Sequence, residues 1–493
     1  MGFYSKKIFT VIILIGLATT SFCQDTLKLS LNQVINLAQD QSLDAFINEN
    51  MYLSSWWEYR AFKAQKRPWL VLGSTPVHYN NSIEVLTDTA GSYFNHKDEF
   101  ASSGALSLTQ NIMTTGGNIS VYSDLNRIKN YSTNTEKFGS TPVSINISQP
   151  LFQHNPFKWQ KKIEPLKFEI AKKDYIKSAE EIAIKSINYF FNFMDAQQAF
   201  KIAELNKISA DSLYYKSMGL YDRGAIAYMD LQRLELNMLN TETTYEKSKL
   251  QLERNKFDLK SYLRIPEDQD LELIVPDSIS DLKIIPQEAL NLALENNPDM
   301  LTYQQILIEA DRDIAKAKGD NGINSSLNFD FGLSKSSNTI QNVYRDFDRS
   351  QIIELSLYIP IVDWGMSRGQ KKIAQSNKKV KVAMVEMEQI SFKEDVLMSA
   401  KEFNTLESQL ANAKKANAIS EKTYKTVEER FLLGKVNLET LYAARNERDN
   451  ALRSYYNRIR QYWGYYYYMR SLTLYDFENG QSLSKNFDEF FGL

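Results

Sequence analysis

Two stretches of equal length govern what this chain can fold into. Pro150 and Gly224, like Pro360 and Gly434, stand 74 positions apart, each stretch opening where a proline ends an alternating segment (VSINISQP, IIELSLYIP) and closing on an aromatic-x-x-Gly setting, YDRG and FLLG. No proline occurs from Phe168 to Gln251 or beyond Ile361, so only scattered glycines interrupt a helix there. A helical run of about 65 residues, rising about 1.5 Å per residue, is near 100 Å long, more than a compact domain needs. A chain of this kind is expected to span something.

The rest of the sequence repeats along with these limbs. SLNQVINLAQDQSLD at 30–44 aligns without gaps to IPQEALNLALENNPD at 285–299, an offset of 255, whereas the two prolines and the two glycines share an offset of 210. The pattern reads as one tandem duplication, and the 45-residue difference falls in the strand region, where the first copy is longer. The predicted organisation is a signal peptide at 1–23, repeat 1 at 24–265, a linker at 266–284 marked by Pro266 and Pro276, repeat 2 at 285–475, and a short polar tail at 476–493. Within repeat 1 the reading is helix 29–67 with Ser30 or Asn32 as cap, strand region 69–152 and helical hairpin 157–263. Repeat 2 reads as helix 286–318, strand region 325–361 and hairpin 365–472. On the first long helix Ile176, Ala179, Ala183, Ile187, Phe190 and Met194 step by three and four, an apolar seam for a neighbouring helix.

Lys6 and Lys7 followed by IFTVIILIGLA and small residues form an export signal. Cys23 is the chain's single cysteine; either cleavage follows it or it becomes a lipid-anchored N-terminus, and neither leaves a partner for a disulfide. Lys+Arg 58 against Asp+Glu 60 gives no basic groove, so nucleic acid is not an expected partner. After residue 23 no apolar run is long enough for a membrane helix. An exported chain that enters a bilayer without one does so through strands closed into a barrel.

The strand regions carry the matching pattern. Val143, Ile145 and Ile147 alternate with Ser144, Asn146 and Ser148. Leu327, Phe329, Phe331 and Leu333 alternate with Asn328, Asp330, Gly332 and Ser334, and Ile353, Leu355, Leu357 and Ile359 with Glu354, Ser356 and Tyr358. This is the apolar-out, polar-in dyad of a membrane barrel. One hairpin per repeat supplies about four strands per chain, fewer than the eight of the smallest membrane barrels, so copies must pool them; three chains give roughly 12 strands around an open lumen. The fold class is therefore mixed α and membrane β: a long α-helical hairpin barrel continuous with a trimeric transmembrane β-barrel, in two tandem repeats. The competing reading is a periplasmic coiled-coil scaffold without a pore, its alternating segments forming a soluble β-domain.

At this point the sequence resembles the TolC-type outer-membrane efflux proteins. The resemblance runs through the repeated Asn-Leu-Ala helix start, the strand ending in SQPLF, and the hairpin strings YDRGAIAYMDLQRLELN and FLLGKVNLETLYAARNE. It implies a homotrimer in outer-membrane lipid, acting as the passive exit duct of a tripartite efflux or type I secretion system. The partners it implies are a periplasmic adaptor (membrane fusion) protein and an inner-membrane pump. The family's adaptor contact carries over to the hairpin tips at Tyr221 and Gly224, and at Phe431 and Gly434. Its entrance residues carry over to Asp230; at the matching place after Gly434 stand Thr440 and Ala443, with Glu439 the nearest acid, a departure from the family's acidic ring.

No constellation for catalysis, metal or cofactor emerges. His78, His96 and His154 lack metal or triad spacing, and Gly116-Gly117 lacks the Lys-Ser/Thr of a phosphate loop. The aromatic tract from Tyr462 to Tyr468 falls at the end of an ascending helix and reads as helical packing, while Trp69 and Tyr79 are placed for a membrane interface.

Overall fold

The computed structural model describes residues 27–88, 91–224, 226–274, 282–433 and 435–491. The signal sequence with Cys23, the tip residue Gly434, and Pro276 of the linker lie outside the described residues. In chain order the elements are β1 (Leu27–Leu29), α1 (Leu31–Gln41), α2 (Leu43–Ala64), β2 (Trp69–Asp88), β3 (Gly91–Ile112), β4 (Gly117–Asn130), β5 (Thr135–Leu151), α3 (Pro156–Tyr221) and α4 (Tyr228–Tyr262). Then follow β6 (Leu271–Leu273), α5 (Pro286–Asn296), α6 (Pro298–Asp320), β7 (Asn324–Ser337), β8 (Asp348–Tyr358), α7 (Met366–Leu432), α8 (Leu438–Thr473), β9 (Tyr475–Asp476) and β10 (Gln481–Ser482). Among the described residues two compact units result: one takes the part up to Met51 with Lys173–Asn297 and the part from Phe392, the other Tyr52–Lys172 and Pro298–Ser391.

The first unit is helical. Ser30 caps α1 through a reciprocal capping box with Gln33, which satisfies two of the orphan amides at the helix start. The expected continuous helices 29–67 and 286–318 are each broken in two. Ser42 (φ −66°, ψ 159°) and Asn297 (φ −65°, ψ 132°) are extended rather than helical. At the second break the ring of Pro298 disfavours the helical conformation of Asn297. Both breaks are buried, and Asn297 donates from Nδ2 to the Leu472 carbonyl at 2.8 Å. Just before each break a side-chain amide caps a later helix end: Gln41 Nε2 to the Leu263 carbonyl at 2.7 Å, and Asn296 Nδ2 to the Thr473 carbonyl at 3.1 Å. β1 pairs in parallel with β6, Leu27 with Leu271 and Leu29 with Leu273, so part of the presumed linker is ordered in a small sheet.

Ala183, Ile187, Phe190 and Met194 of the α3 seam are buried, while Ile176 and Ala179 are only half-buried. The aromatic tract of α8 belongs to this unit. Tyr462, Tyr466 and Tyr467 are buried, and the Phe403 ring of α7 lies 5.2 Å from that of Tyr462. Amid them Arg470 is gripped from both sides. Its Nε and Nη2 donate to the Glu180 carboxylate at 2.7 and 3.0 Å, and its Nη1 to Asp476 at 2.9 Å. Tyr466 adds a hydroxyl donation to Asp476 at 2.8 Å. The tail is therefore not loose: β9 pairs with β10, and the rings of Phe487 and Phe490 pack edge-on against Tyr175 at 5.7 and 5.4 Å.

The second unit holds a six-stranded antiparallel sheet, in the order β2-β3-β4-β5-β7-β8. This corrects the expectation of about four strands per chain. The surplus of the first repeat is a whole extra hairpin, β2–β3, whose first strand is interrupted in sequence by Pro76, as β5 is by Pro142. Pro76 and Pro142 interrupt the alternation of β2 and β5, and in each case the ladder slips register across the proline, between Thr75 and His78 and between Ser140 and Val143. A residue without an N–H is tolerated in a strand at such a bulge, and the slip switches which side chains face which way. The hairpin leaves and rejoins the chain at one place: Gln110 Nε2 donates to the Lys66 carbonyl at 3.0 Å.

Alternate rows of the sheet differ in character. One row runs Leu70, Leu108, Val121, Ile145, Phe331; the next runs Val71, Ser107, Tyr122, Ser144, Gly332, Ser350. The polar face is cross-linked by side chains: Ser144 Oγ and Tyr122 Oη donate to Asp330 at 2.6 and 3.3 Å, and Ser148 Oγ donates to Asn328 at 2.8 Å. No element among the described residues covers the apolar face, and Ile353, Leu355 and Leu357 are 66%, 64% and 61% exposed. Water is a poor solvent for so large a contiguous patch.

Helices of this unit run close to the strand ends. Tyr59 of α2 stacks on Phe168 of α3 with centroids 4.7 Å apart, and Lys378 and Lys381 of α7 pair with Asp311 and Asp313 of α6. At the end of α6, Gly319 lies against the strand-to-helix connection, so that a Cβ there would sit 2.6 Å from the His154 backbone nitrogen. Gly319→Ala should therefore displace that connection and lower stability by about 1–3 kcal/mol. An unchanged melting temperature of the detergent-solubilised variant would show that the approach imposes no constraint.

Candidate docking tips and channel wall

The candidate positions singled out from sequence, Gly434 apart, fall at two turns of the helical unit. α3 ends at Tyr221 and the chain turns through Asp222 and Arg223 to Gly224, whose N–H donates to the Tyr221 carbonyl at 2.8 Å. Gly224 has φ +70°, and no atom lies within 4 Å of where its Cβ would be. Backbone conformation, not lack of room, is what calls for glycine here. Tyr221 is 39% exposed, its ring 5.9 Å from that of Tyr228 on the returning helix.

At the second turn α7 ends at Leu432, and Lys435 N–H donates back to the Arg430 carbonyl at 2.9 Å. Asn437 caps α8: its Oδ1 accepts from Thr440 N–H at 2.9 Å and from the Thr440 hydroxyl at 2.7 Å. Thr440 thus serves the helix start, since its hydroxyl is committed to the cap. Asp230 and Glu439 are exposed and sit in the first turns of α4 and α8, where a carboxylate interacts favourably with the helix dipole. Phe431 is not displayed as Tyr221 is; it packs with Leu213, Val427 and Leu438 against the buried Tyr424, Leu441 and Ala444. That cluster ties α3, α7 and α8 together beside the tips.

Sequence reasoning passed over a polar belt next to this cluster. The Arg448 guanidinium lies 4.2 Å over the Tyr424 ring, 2.6 Å from Asp449 and 3.4 Å from Asn206 Oδ1, while Asn206 Nδ2 donates to Asp449 at 3.3 Å. Arg445 reaches Asn237 of α4 at 3.4 Å. The Tyr424 hydroxyl donates to Glu428 at 2.8 Å, and burial, reinforced by that carboxylate, pushes its pKa up to about 12. The signal was present in RNERDN: Arg445, Arg448 and Asp449 at i, i+3 and i+4 share one face of α8.

Residues 289–462, which hold β7, β8, α7 and the tip turn with its cap, match the family model of the outer membrane efflux protein. The chain carries an outer membrane efflux protein domain. The fold beyond that domain agrees. The Campylobacter jejuni CmeC outer membrane channel superposes with a TM-score of 0.66 at 14% identity, over 94% of this chain and 88% of that one. The Vibrio cholerae outer membrane protein VceC gives 0.62 at 11% identity, over 90% and 95%. The open state of the Neisseria gonorrhoeae MtrE outer membrane channel gives 0.55 at 14% identity, over 90% and 88%. No curated protein sequence matches the chain. At these identities the likeness shows the fold, that of an outer-membrane efflux channel: a helical part and a β part in one chain. The efflux-protein domain and the uncovered apolar face of the sheet place the chain in the outer membrane, with its helical part belonging to the periplasm.

Proposed function

We propose that this protein is the passive exit duct of a tripartite efflux or type I secretion system, a homotrimer built from a tandem-duplicated chain. The observation that carries the reading is the six-stranded sheet, whose apolar face is uncovered and whose end strands have no neighbour among the described residues, joined in one chain to the hairpins of an efflux-protein domain. A periplasmic adaptor docks on the tips at Tyr221, Gly224, Phe431 and Gly434, and an inner-membrane pump supplies the energy and selects the cargo. The duct opens by an iris-like shift of the two hairpins, with Asp230, Glu439 and Thr440 at the entrance. Tyr221, exposed beside the positive-φ turn, is the side chain best presented to an adaptor.

The test is a disulfide between Asp230→Cys and Thr440→Cys in the assembled protein. Conductance in a planar bilayer is expected to collapse on oxidation and return with reductant. A verified crosslinked trimer that conducts undiminished would end the gating role. A protein that never conducts in either state would favour a pore-free scaffold instead.

A further inference from the structure

The extra hairpin raises a question that the duct reading leaves open: which strands meet when copies come together. The two ends of the sheet are β2 and β8, and among the described residues neither has a further neighbour. Every residue from Trp69 to Tyr79 is exposed, as is every residue of β8 except Ser350. An end strand leaves a row of amide and carbonyl groups without partners, which hydrocarbon does not tolerate. The apolar dyad nevertheless runs out to both ends, with Leu70 and Leu72 on β2 and Ile353, Leu355 and Leu357 on β8. The ends are thus built for the bilayer and still lack neighbours.

Six strands cannot close on themselves, since the smallest membrane barrels have eight. All five neighbouring pairs are antiparallel, so β2 and β8 run in opposite directions, and placing β8 beside the β2 of another copy keeps the alternation intact. The occupant that fits each bare end is therefore the opposite end of a second copy of this chain. Resting on the trimeric duct reading, we infer that β8 of each copy pairs with β2 of the next and that three copies close a barrel of 18 strands, six from each chain.

The consequence is a wider outer mouth. With strands about 4.8 Å apart and tilted about 40°, 18 strands enclose a cylinder about 36 Å across between backbones, against about 24 Å for the 12 strands expected from one hairpin per repeat. The inserted hairpin enlarges the barrel without altering the helical limbs, because it departs and returns beside Lys66. β2 and β3, at 20 and 22 residues, are also longer than the roughly 9–11 residues needed to cross the bilayer. Their ladder continues to Asp88–Gly91, well past the Glu99–Asn130 pair where β3 parts from β4.

Cysteine pairs introduced into the full chain in outer membranes test the seam. One series combines Ile353→Cys of β8 with Leu70→Cys, Leu72→Cys, Ser74→Cys or Tyr79→Cys of β2; the other combines Ile353→Cys with Ile119→Cys, Val121→Cys or Leu125→Cys of β4. Mild oxidation should give covalent dimers and trimers on denaturing gels for at least one member of the β2 series and for none of the β4 series. Crosslinking through β4 would overturn the inference, leaving a 12-stranded duct with the hairpin outside the wall. An unboiled trimer band with no crosslink in either series would overturn it too, again sparing the duct. Recovery of the chain as a detergent-free monomer would remove the duct reading itself.

Discussion

Arg470→Ala is expected to destabilise the helical unit by about 3–5 kcal/mol, the range for removing one partner of a buried ion pair. Among the described residues the guanidinium alone donates to both Glu180 and Asp476, and both acids are nearly inaccessible, at 4% and 5% exposure. Burial already raises the Glu180 pKa above its ordinary value despite the opposing Arg470 charge. Without that charge it rises further. The sign of the pH dependence follows. A carboxyl whose folded pKa exceeds its unfolded value, about 4.3, gives no penalty below the unfolded value, an increasing one as pH climbs through the window between the two, and a constant one above. The variant should therefore melt lowest at neutral pH and recover part of its loss on acidification. Adding Glu180→Gln should restore some stability at neutral pH, because an uncharged amide replaces the stranded carboxylate. A variant whose melting temperature equals that of the parent across pH 5–8 would show that the cluster is not a unit. Arg470→Lys should fall between, since one ammonium cannot present the guanidinium's fork to two acids.

A second pair of substitutions asks which face of the sheet meets lipid. Ile145 and Asn146 are adjacent in β5 but lie on opposite faces: Ile145 in the row with Val121 and Phe331, Asn146 opposite Ser120 and Asp330. Ile145→Arg should cost about 2–4 kcal/mol, the penalty for an arginine on the lipid face near the bilayer midplane. Asn146→Arg should cost little, since it places a cation in water near the Asp330 carboxylate. The readout is the denaturant midpoint of the protein refolded into lipid vesicles. Equal losses at the two positions would mean that the sheet is wet or buried on both faces, and a larger loss at Asn146 would invert the proposed orientation.

Much of this architecture was legible because it rests on punctuation. The prolines and glycines bracketing the limbs predicted long helices, and α3 and α7 run 66 and 67 residues. The period-two pattern placed β7 and β8 with the correct faces because nothing interrupts it. Legibility failed where the same punctuation had a second meaning. Pro76 and Pro142 sit inside strands at bulges, so runs that read as broken are continuous; at Pro76 the interrupted strand belongs to the hairpin missing from the count. Pro298 was the opposite error: its effect on Asn297 was available from sequence, yet the helical periodicity on either side masked the break. Ser42, the corresponding break in the first half, offers no proline and shows itself only through buried extended backbone.

At the tips the sequence located the turns but not the bonding of their side chains. Thr440 looked like a place where an entrance acid had been lost; its hydroxyl instead completes the Asn437 cap. The Arg448–Asp449–Asn206 belt depends on α3 lying beside α8, a juxtaposition of residues more than 240 positions apart that no local pattern announces.

The bare margins of the sheet bear on the chain's life before assembly. A solitary copy exposes two unpaired flanks and an apolar face at once. On the proposed assembly, shielding those flanks and recruiting further copies become a single event, so subunit counting is built into the margin of the sheet.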